Sequence, residues 1–156
     1  MKHKGWVLLL FLGASLLASA LGGFATASSV DSWFSTLVKP TWNPPSSIFA
    51  PVWTVLYVLM AISAWRIWLK SEIPGSRAVL AVYFVHLALN TLWSLLFFGL
   101  RNPAAGLVDI VLLWGLIVWL QIAFWKRDRL AGLLWVPYLI WVSFASALNF
   151  AIWRLN

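Results

Sequence analysis

Five apolar stretches leave this chain almost no choice of fold. Each is about 20 residues long, the length a helix needs to cross the hydrocarbon core of a bilayer. They run roughly from Trp6 to Phe24, Ile48 to Leu69, Ala78 to Leu100, Ala104 to Phe124 and Leu130 to Trp153 (6–24, 48–69, 78–100, 104–124 and 130–153), and little of the 156 residues remains outside them. The connections KSEIPGS, RNP and KRDR are short and polar, so consecutive helices must be antiparallel neighbours. Only the first loop, residues 26–46, is long. The predicted fold is an all-α membrane protein, one five-transmembrane-helix bundle over residues 1–156. The sequence has no internal repeat and no inverted pair of halves, which argues against a transporter built from repeats.

Composition narrows the function classes. Hydrophobic residues make up 63% and charged residues 10% of the chain, far outside the usual soluble balance. Cysteine is absent, which excludes disulfides, thiolate metal sites and cysteine nucleophiles. The net charge of +7 does not imply nucleic acid as a partner, because the cations sit at the ends of apolar segments and form no stripe. Lys2, Lys4, Arg66, Lys70, Arg77, Lys126, Arg127 and Arg129 fall on one side, against Lys39, Arg101 and Arg154 on the other. By the positive-inside tendency the N-terminus is cytoplasmic, and the first loop and the C-terminus lie outside. The cell membrane is the expected location, with a bacterial outer membrane or an organelle membrane as alternatives. Trp6, Trp68, Trp125 and Trp153 sit near predicted helix ends, where an indole keeps its N–H wet while its ring meets lipid.

The first segment also carries features of a secretory signal, with MKHK before an apolar run and Ala18-Ser19-Ala20 after it. The run continues through Leu21 to Phe24, beyond the about 7 to 15 residues of a usual signal core, so a retained helix is expected. Small residues recur there every fourth position, as Ala14, Ala18, Gly22 and Ser15, Ser19, Gly23. They form a ridge on which another helix can pack closely.

The stretch KPTWNPPSSIFAPVW places four of the seven prolines and two of the thirteen tryptophans in fifteen residues. Proline fixes its own φ and biases the preceding residue away from the helical region, so Lys39 to Pro45 is expected to be extended and pre-set. Ser46 or Ser47 is the candidate cap of the next helix, with Pro51 in or just past its first turn. Such a loop either connects stiffly, anchored at the interface by Trp42, or closes over something at low entropic cost.

Polar residues inside the spans are few and mark a bundle interior or a site. His86, Asn90 and Ser94 recur at four-residue spacing on the third helix, with Trp93 and Phe97 alongside. Trp141, Ala145, Asn149 and Trp153 form a similar row on the fifth, and Trp53, Tyr57, Ala61 and Ala64 approximate one on the second. Rows of small, aromatic and amide residues suit a cavity wall for a flat apolar ligand. The amides serve equally as interhelical hydrogen-bond glue. His86 reads as a packed histidine in preference to a haem ligand, and Asp109 as a structural group pairing with Arg101 or capping freed backbone groups. Pro137 either kinks the fifth helix or sits in its early turns. No Ser/His/Asp spacing, carboxylate pair, metal cluster or phosphate-binding Gly loop is present, so a hydrolase or metalloenzyme is not expected.

Three stretches, WFSTLVKPTWNPPSSIFAPVWTVLYVLM, NTLWSLLFFGLRNPAAGLVDIVLLW and WVPYLIWVSFASALNFAIWRLN, resemble the translocator protein / tryptophan-rich sensory protein (TspO/MBR) family over nearly the whole chain. The resemblance implies a five-helix bundle, commonly a homodimer, that binds porphyrins such as protoporphyrin IX and haem as ligands and requires no cofactor. Some members also bind sterols and synthetic benzodiazepine-type or isoquinoline carboxamide ligands. It implies that the first loop is a lid, with Trp33 and Trp42 in it, Trp53 on the second helix, Asn90 and Trp93 on the third, and Trp141, Ala145 and Asn149 on the fifth as ligand-binding positions. The family's sterol pattern needs a Tyr before Lys or Arg, and Phe150 stands there ahead of Arg154, so porphyrin is the expected ligand and sterol is not. The expected role is a receptor or sensor in tetrapyrrole handling or stress regulation. The alternatives are a transporter of porphyrin or other lipophiles and a light-dependent porphyrin-degrading enzyme, for which Trp33 and Trp141 would be the reactive residues.

Overall fold

The computed structural model describes residues 2–156, with side chains from residue 4 onward; the side chain of Lys2, one of the cations counted above, lies outside them. Five helices carry the chain: α1 (Lys2–Ala27), α2 (Phe49–Trp68), α3 (Ser76–Ser94), α4 (Pro103–Arg127) and α5 (Arg129–Leu155). All five are long and apolar enough to cross a membrane. In hydrocarbon a helix satisfies its own backbone, which is why an apolar chain of this kind resolves into helices joined by minimal turns.

Chain order and packing order differ. The helices close a ring in which α1 touches α2 and α3, α2 touches α5, α3 touches α4, and α4 and α5 pack along their lengths. With no hydrophobic drive between helices in lipid, close approach depends on small residues and shape. The ridge of α1 that packs inward is Ser15, Ala18, Gly22 and Ala25, which takes Ser15 from one expected row, Ala18 and Gly22 from the other, and Ala25 from neither. Gly23, assigned by spacing to that ridge, is exposed, with nothing within 4 Å of where its Cβ would lie. Ala61, Ala64 and Ser63 do the same for α2, where the Ser63 hydroxyl donates to the Ala131 carbonyl of α5 at 3.1 Å.

The turns show how little sequence a reversal needs. Arg101 takes a left-handed conformation (φ 54°), while the N–H groups of Leu100 and Asn102 reach back to the carbonyls of Leu95 and Leu96. Asn102 then caps α4 by accepting from the Ala105 N–H at 3.0 Å, with Pro103 in the first helical position. Between α4 and α5 a single residue, Asp128, leaves the helical conformation. Its carboxylate accepts from the N–H groups of Leu130 and Ala131 and pairs with Arg66 of α2 at 2.8 Å. Gly132 is required beside this turn, because a Cβ there would meet the Trp125 ring at 2.7 Å and its backbone at 2.9 Å.

Two expectations from the sequence need correction here. Neither Ser46 nor Ser47 caps α2: both enter a short 3₁₀ turn, Ser46–Ile48, that leads into the helix without a side-chain cap. Pro45, which lacks an N–H, holds the extended conformation before that turn. Asp109 does not pair with Arg101; it is buried on α4 and its Oδ2 has no hydrogen-bond partner. Pro137 lies inside α5, which continues through it to Leu155.

The ring is solid at one end and hollow at the other. Around Met60, Ile67, Tyr83, Ile117, Phe124 and Trp135 the centre is filled, every one of these less than 2% exposed. Toward the first loop the helices enclose a cavity. Because Asp128 both caps α5 and anchors it to α2, Asp128→Ala is expected to lower stability by about 1–2 kcal/mol. Asp128→Asn keeps a capping oxygen and should cost under about 1 kcal/mol, both read from unfolding in mixed detergent.

Candidate functional site

The cavity, about 440 Å³, has the size of a small-molecule site (roughly 300–1,000 Å³). Its inner wall is aromatic: Phe49, Trp53 and Tyr57 from α2, Trp93, Phe97 and Phe98 from the end of α3, and Trp141 and Phe144 from α5. Ala145, Leu148 and Asn149 continue the α5 side, and Ser19, Gly22 and Gly23 of α1 face them across the space. Phe97 and Phe98 reach this wall because α3 does not stop at Ser94 but widens into a π-helical turn, Leu95–Gly99. Gly106 of α4 lets that turn approach, since a Cβ there would lie 3.1 Å from Phe97 and 3.2 Å from the Asn149 oxygen.

The polar groups on the wall are fixed by one another. Trp93 Nε1–H donates to Asn149 Oδ1 at 3.0 Å, and Asn149 Nδ2–H donates to the Pro103 carbonyl at 2.8 Å. Tyr57 donates its hydroxyl to Asn90 Oδ1 at 2.8 Å, and Asn90 Nδ2–H donates to the Tyr138 oxygen at 2.6 Å. Tyr138 meets His86 Nε2 at 3.0 Å, and His86 Nδ1 meets the Tyr83 carbonyl at 2.7 Å. That carbonyl can only accept, so Nδ1 carries the proton, and the neutral ring's Nε2 accepts the Tyr138 proton. The four side chains thus form a one-way chain from the cavity wall into the solid half, each 4% exposed or less. Both imidazole nitrogens of His86 are engaged, which makes it a packed histidine and not a free ligand for iron. One donor is left over. Trp141 Nε1–H is buried on the cavity wall with no acceptor.

The first loop roofs the cavity with Val30, Asp31 and Phe34 from a π-helical turn, Val30–Phe34, together with Ser46 and Ser47. It is tied to the end of α5 at one point and braced within itself at another. The Asn156 side chain accepts from the Val38 N–H at 3.0 Å and donates to the Val38 carbonyl at 2.9 Å. Lys39 Nζ donates to the carbonyls of Phe34 and Leu37 at 2.6 and 2.9 Å and sits 4.9 Å from the centre of the Phe34 ring.

Of the residues singled out by sequence, Trp53, Asn90, Trp93, Trp141, Ala145 and Asn149 come together on one cavity. Trp33 and Trp42 are not on its wall: Trp33 packs edge-on to Phe97 at 5.7 Å, and Trp42, half exposed, packs edge-on to Phe144 at 5.7 Å. The loop aromatic that reaches the cavity is Phe34. Ser94 lines the cavity and His86 lies behind it, whereas Trp153 is exposed at the end of its row. Ala61 and Ala64 serve helix packing. Tyr138 and Asn156 escaped notice. Tyr138 extends the Trp141, Ala145, Asn149 row by one turn, a signal present in the sequence; nothing in the spacing pointed to Asn156.

Comparison with known proteins agrees with this architecture. The model of the TspO/MBR family matches residues 9–154. The chain belongs to the TspO/MBR family. The tryptophan-rich protein TspO of Chlorobaculum tepidum is 44% identical over 160 residues, covering 100% of this chain and 99% of that protein. The TspO of Archaeoglobus fulgidus is 48% identical over 152 residues (95% and 98%), and the translocator protein of Homo sapiens 36% over 148 residues (90% and 86%). Family membership and the five apolar helices together make this an integral multi-pass membrane protein of the TspO/MBR type.

Tyr138→Phe would leave Asn90 Nδ2 and His86 Nε2 each without a partner inside the bundle. It is expected to cost about 1–2 kcal/mol, and Tyr57→Phe, which removes one link at the end of the chain, less than half as much, by unfolding in mixed detergent.

Proposed function

We propose that this TspO/MBR protein is a membrane receptor or sensor for porphyrins, protoporphyrin IX and haem among them, and that the ligand occupies the cavity beneath the first loop. The observation that carries the reading is the wall itself. Trp53, Trp93 and Trp141 present flat π faces around one space, with amides held rigid beside them and one buried indole N–H unpaired. A flat apolar ring buries area against such faces, and aromatic pairs add about 0.5–1.5 kcal/mol beyond that area. A carboxylate or carbonyl on its edge would supply the acceptor that Trp141 lacks. We place the first loop on the outer side of the membrane, on the distribution of Lys and Arg.

Light-dependent breakdown of the bound ring is the second reading, favoured by the position of Trp141 alone. An excited porphyrin can exchange an electron with an adjacent indole, and Trp33 stands behind Phe97 instead of facing the space.

Titrating protoporphyrin IX into the protein in nanodiscs should quench tryptophan fluorescence to saturation. Trp141→Phe and Asn90→Ala should each weaken the apparent affinity about tenfold, about 1.4 kcal/mol, while Trp42→Phe shifts it less than about twofold. Quenching that rises without limit in all four proteins, as simple partition into lipid would produce, would sink the receptor reading.

A further inference from the structure

The cavity has two boundaries of opposite character. Its inner wall is built from Trp, Phe and Tyr. Its outer side, where α1 and α2 run past each other near the loop, is built from Ser19, Gly23 and Ala27 on α1, Ser47 on the 3₁₀ turn, and Ala50 and Thr54 on α2. Gly23, Ala27, Ala50 and Thr54 line the cavity and are exposed. A lipid-facing surface ordinarily carries Leu, Ile, Val and Phe, as the rest of α1 does at Leu10, Leu17 and Phe24. The hydroxyl of Thr54 bonds the Ala50 carbonyl at 2.8 Å and that of the neighbouring Thr26 the Gly22 carbonyl at 3.0 Å, so both turn methyl groups to their surroundings. From Ala27 down to Ser19 the seam descends about 12 Å along the helix, well into the hydrocarbon. Below it the helices meet, with Trp65 Nε1–H of α2 donating to the Lys4 carbonyl of α1 at 2.9 Å.

The roof is fastened. The paired bonds between Asn156 and Val38 hold it to the end of α5, and Lys39 braces it internally on the carbonyls of Phe34 and Leu37. Its prolines leave little slack for it to swing aside.

We propose that the cavity fills and empties sideways, from the lipid leaflet on the loop-bearing side, through the seam between α1 and α2, with the roof staying closed. The seam admits molecules dissolved in the bilayer and turns away those dissolved only in water. It thereby selects lipophilic and amphiphilic ligands before any contact with the aromatic wall. The biological meaning rests on the cavity being a ligand site, but the route itself can be tested with no porphyrin present.

The chain has no cysteine, so Ser94→Cys introduces a single thiol on the cavity wall just behind Gly22, where the native hydroxyl lies 3.1 Å from the position a Cβ would take. In liposomes this thiol should react with N-pyrenylmaleimide, which partitions into the bilayer, much faster than with a charged water-soluble methanethiosulfonate. A Cβ on Gly23 meets nothing within 4 Å, so Gly23→Trp has room to start its side chain there and should obstruct the seam, as should Ala50→Trp from the facing helix. Each should slow the pyrenylmaleimide reaction about tenfold or more, about 1.4 kcal/mol of added barrier. Asn156→Ala, which unfastens the roof, should leave that rate unchanged. The proposal is overturned if neither tryptophan slows the reaction, if Asn156→Ala speeds it, if the charged reagent keeps pace, or if the thiol reacts with neither reagent. None of these outcomes touches the porphyrin titration, which judges the receptor reading separately.

Discussion

A polar side chain in hydrocarbon has no water to turn to, and this bundle is organised around that constraint. Tyr57, Asn90, Tyr138 and His86 come from three helices, and each is tolerable in the membrane only because another is within 3.0 Å. Satisfying them fixes the rotation of α2, α3 and α5 about their own axes. With those rotations fixed, Trp53, Trp93 and Trp141 have to face one another. The aromatic wall is thus a consequence of where the polar groups had to go.

The same constraint divides the molecule lengthwise. Where the chain of hydrogen bonds ends at the Tyr83 carbonyl, the interior is filled with large side chains and admits nothing. Where it begins, at Tyr57 and Asn90, the ring opens. The widened turn at Leu95–Gly99 swings Phe97 and Phe98 inward, and the cavity takes the space that remains. Filled packing below and empty space above let one small bundle be both rigid and receptive.

Much of this was legible beforehand. The five spans could be counted from apolar length alone, and the four-residue recurrence of His86, Asn90 and Ser94 correctly put them on one buried face. Spacing along a single helix, however, contains no information about rotation against a neighbour. That is why spacing puts Gly23 on the packing ridge when it lies open beside the cavity, and why it offers Asp109 a partner that the fold does not supply. The loop was harder still. Its prolines announced stiffness, but which of Trp33, Phe34 and Trp42 points down depends on a π-helical turn at Val30–Phe34 that leaves no pattern in the composition. The contact of Asn156 with Val38 joins residues 118 apart, beyond the reach of any periodicity.

That last contact ties the roof to the helix that bears Trp141, Ala145 and Asn149. A shift of α5 along its axis would tug directly on Val38 and from there on the segment carrying Phe34. The strap gives the buried chamber a mechanical line to the surface. A ligand that moved α5 would change the tension of the loop outside, in a form that a neighbouring protein could feel without ever touching that ligand.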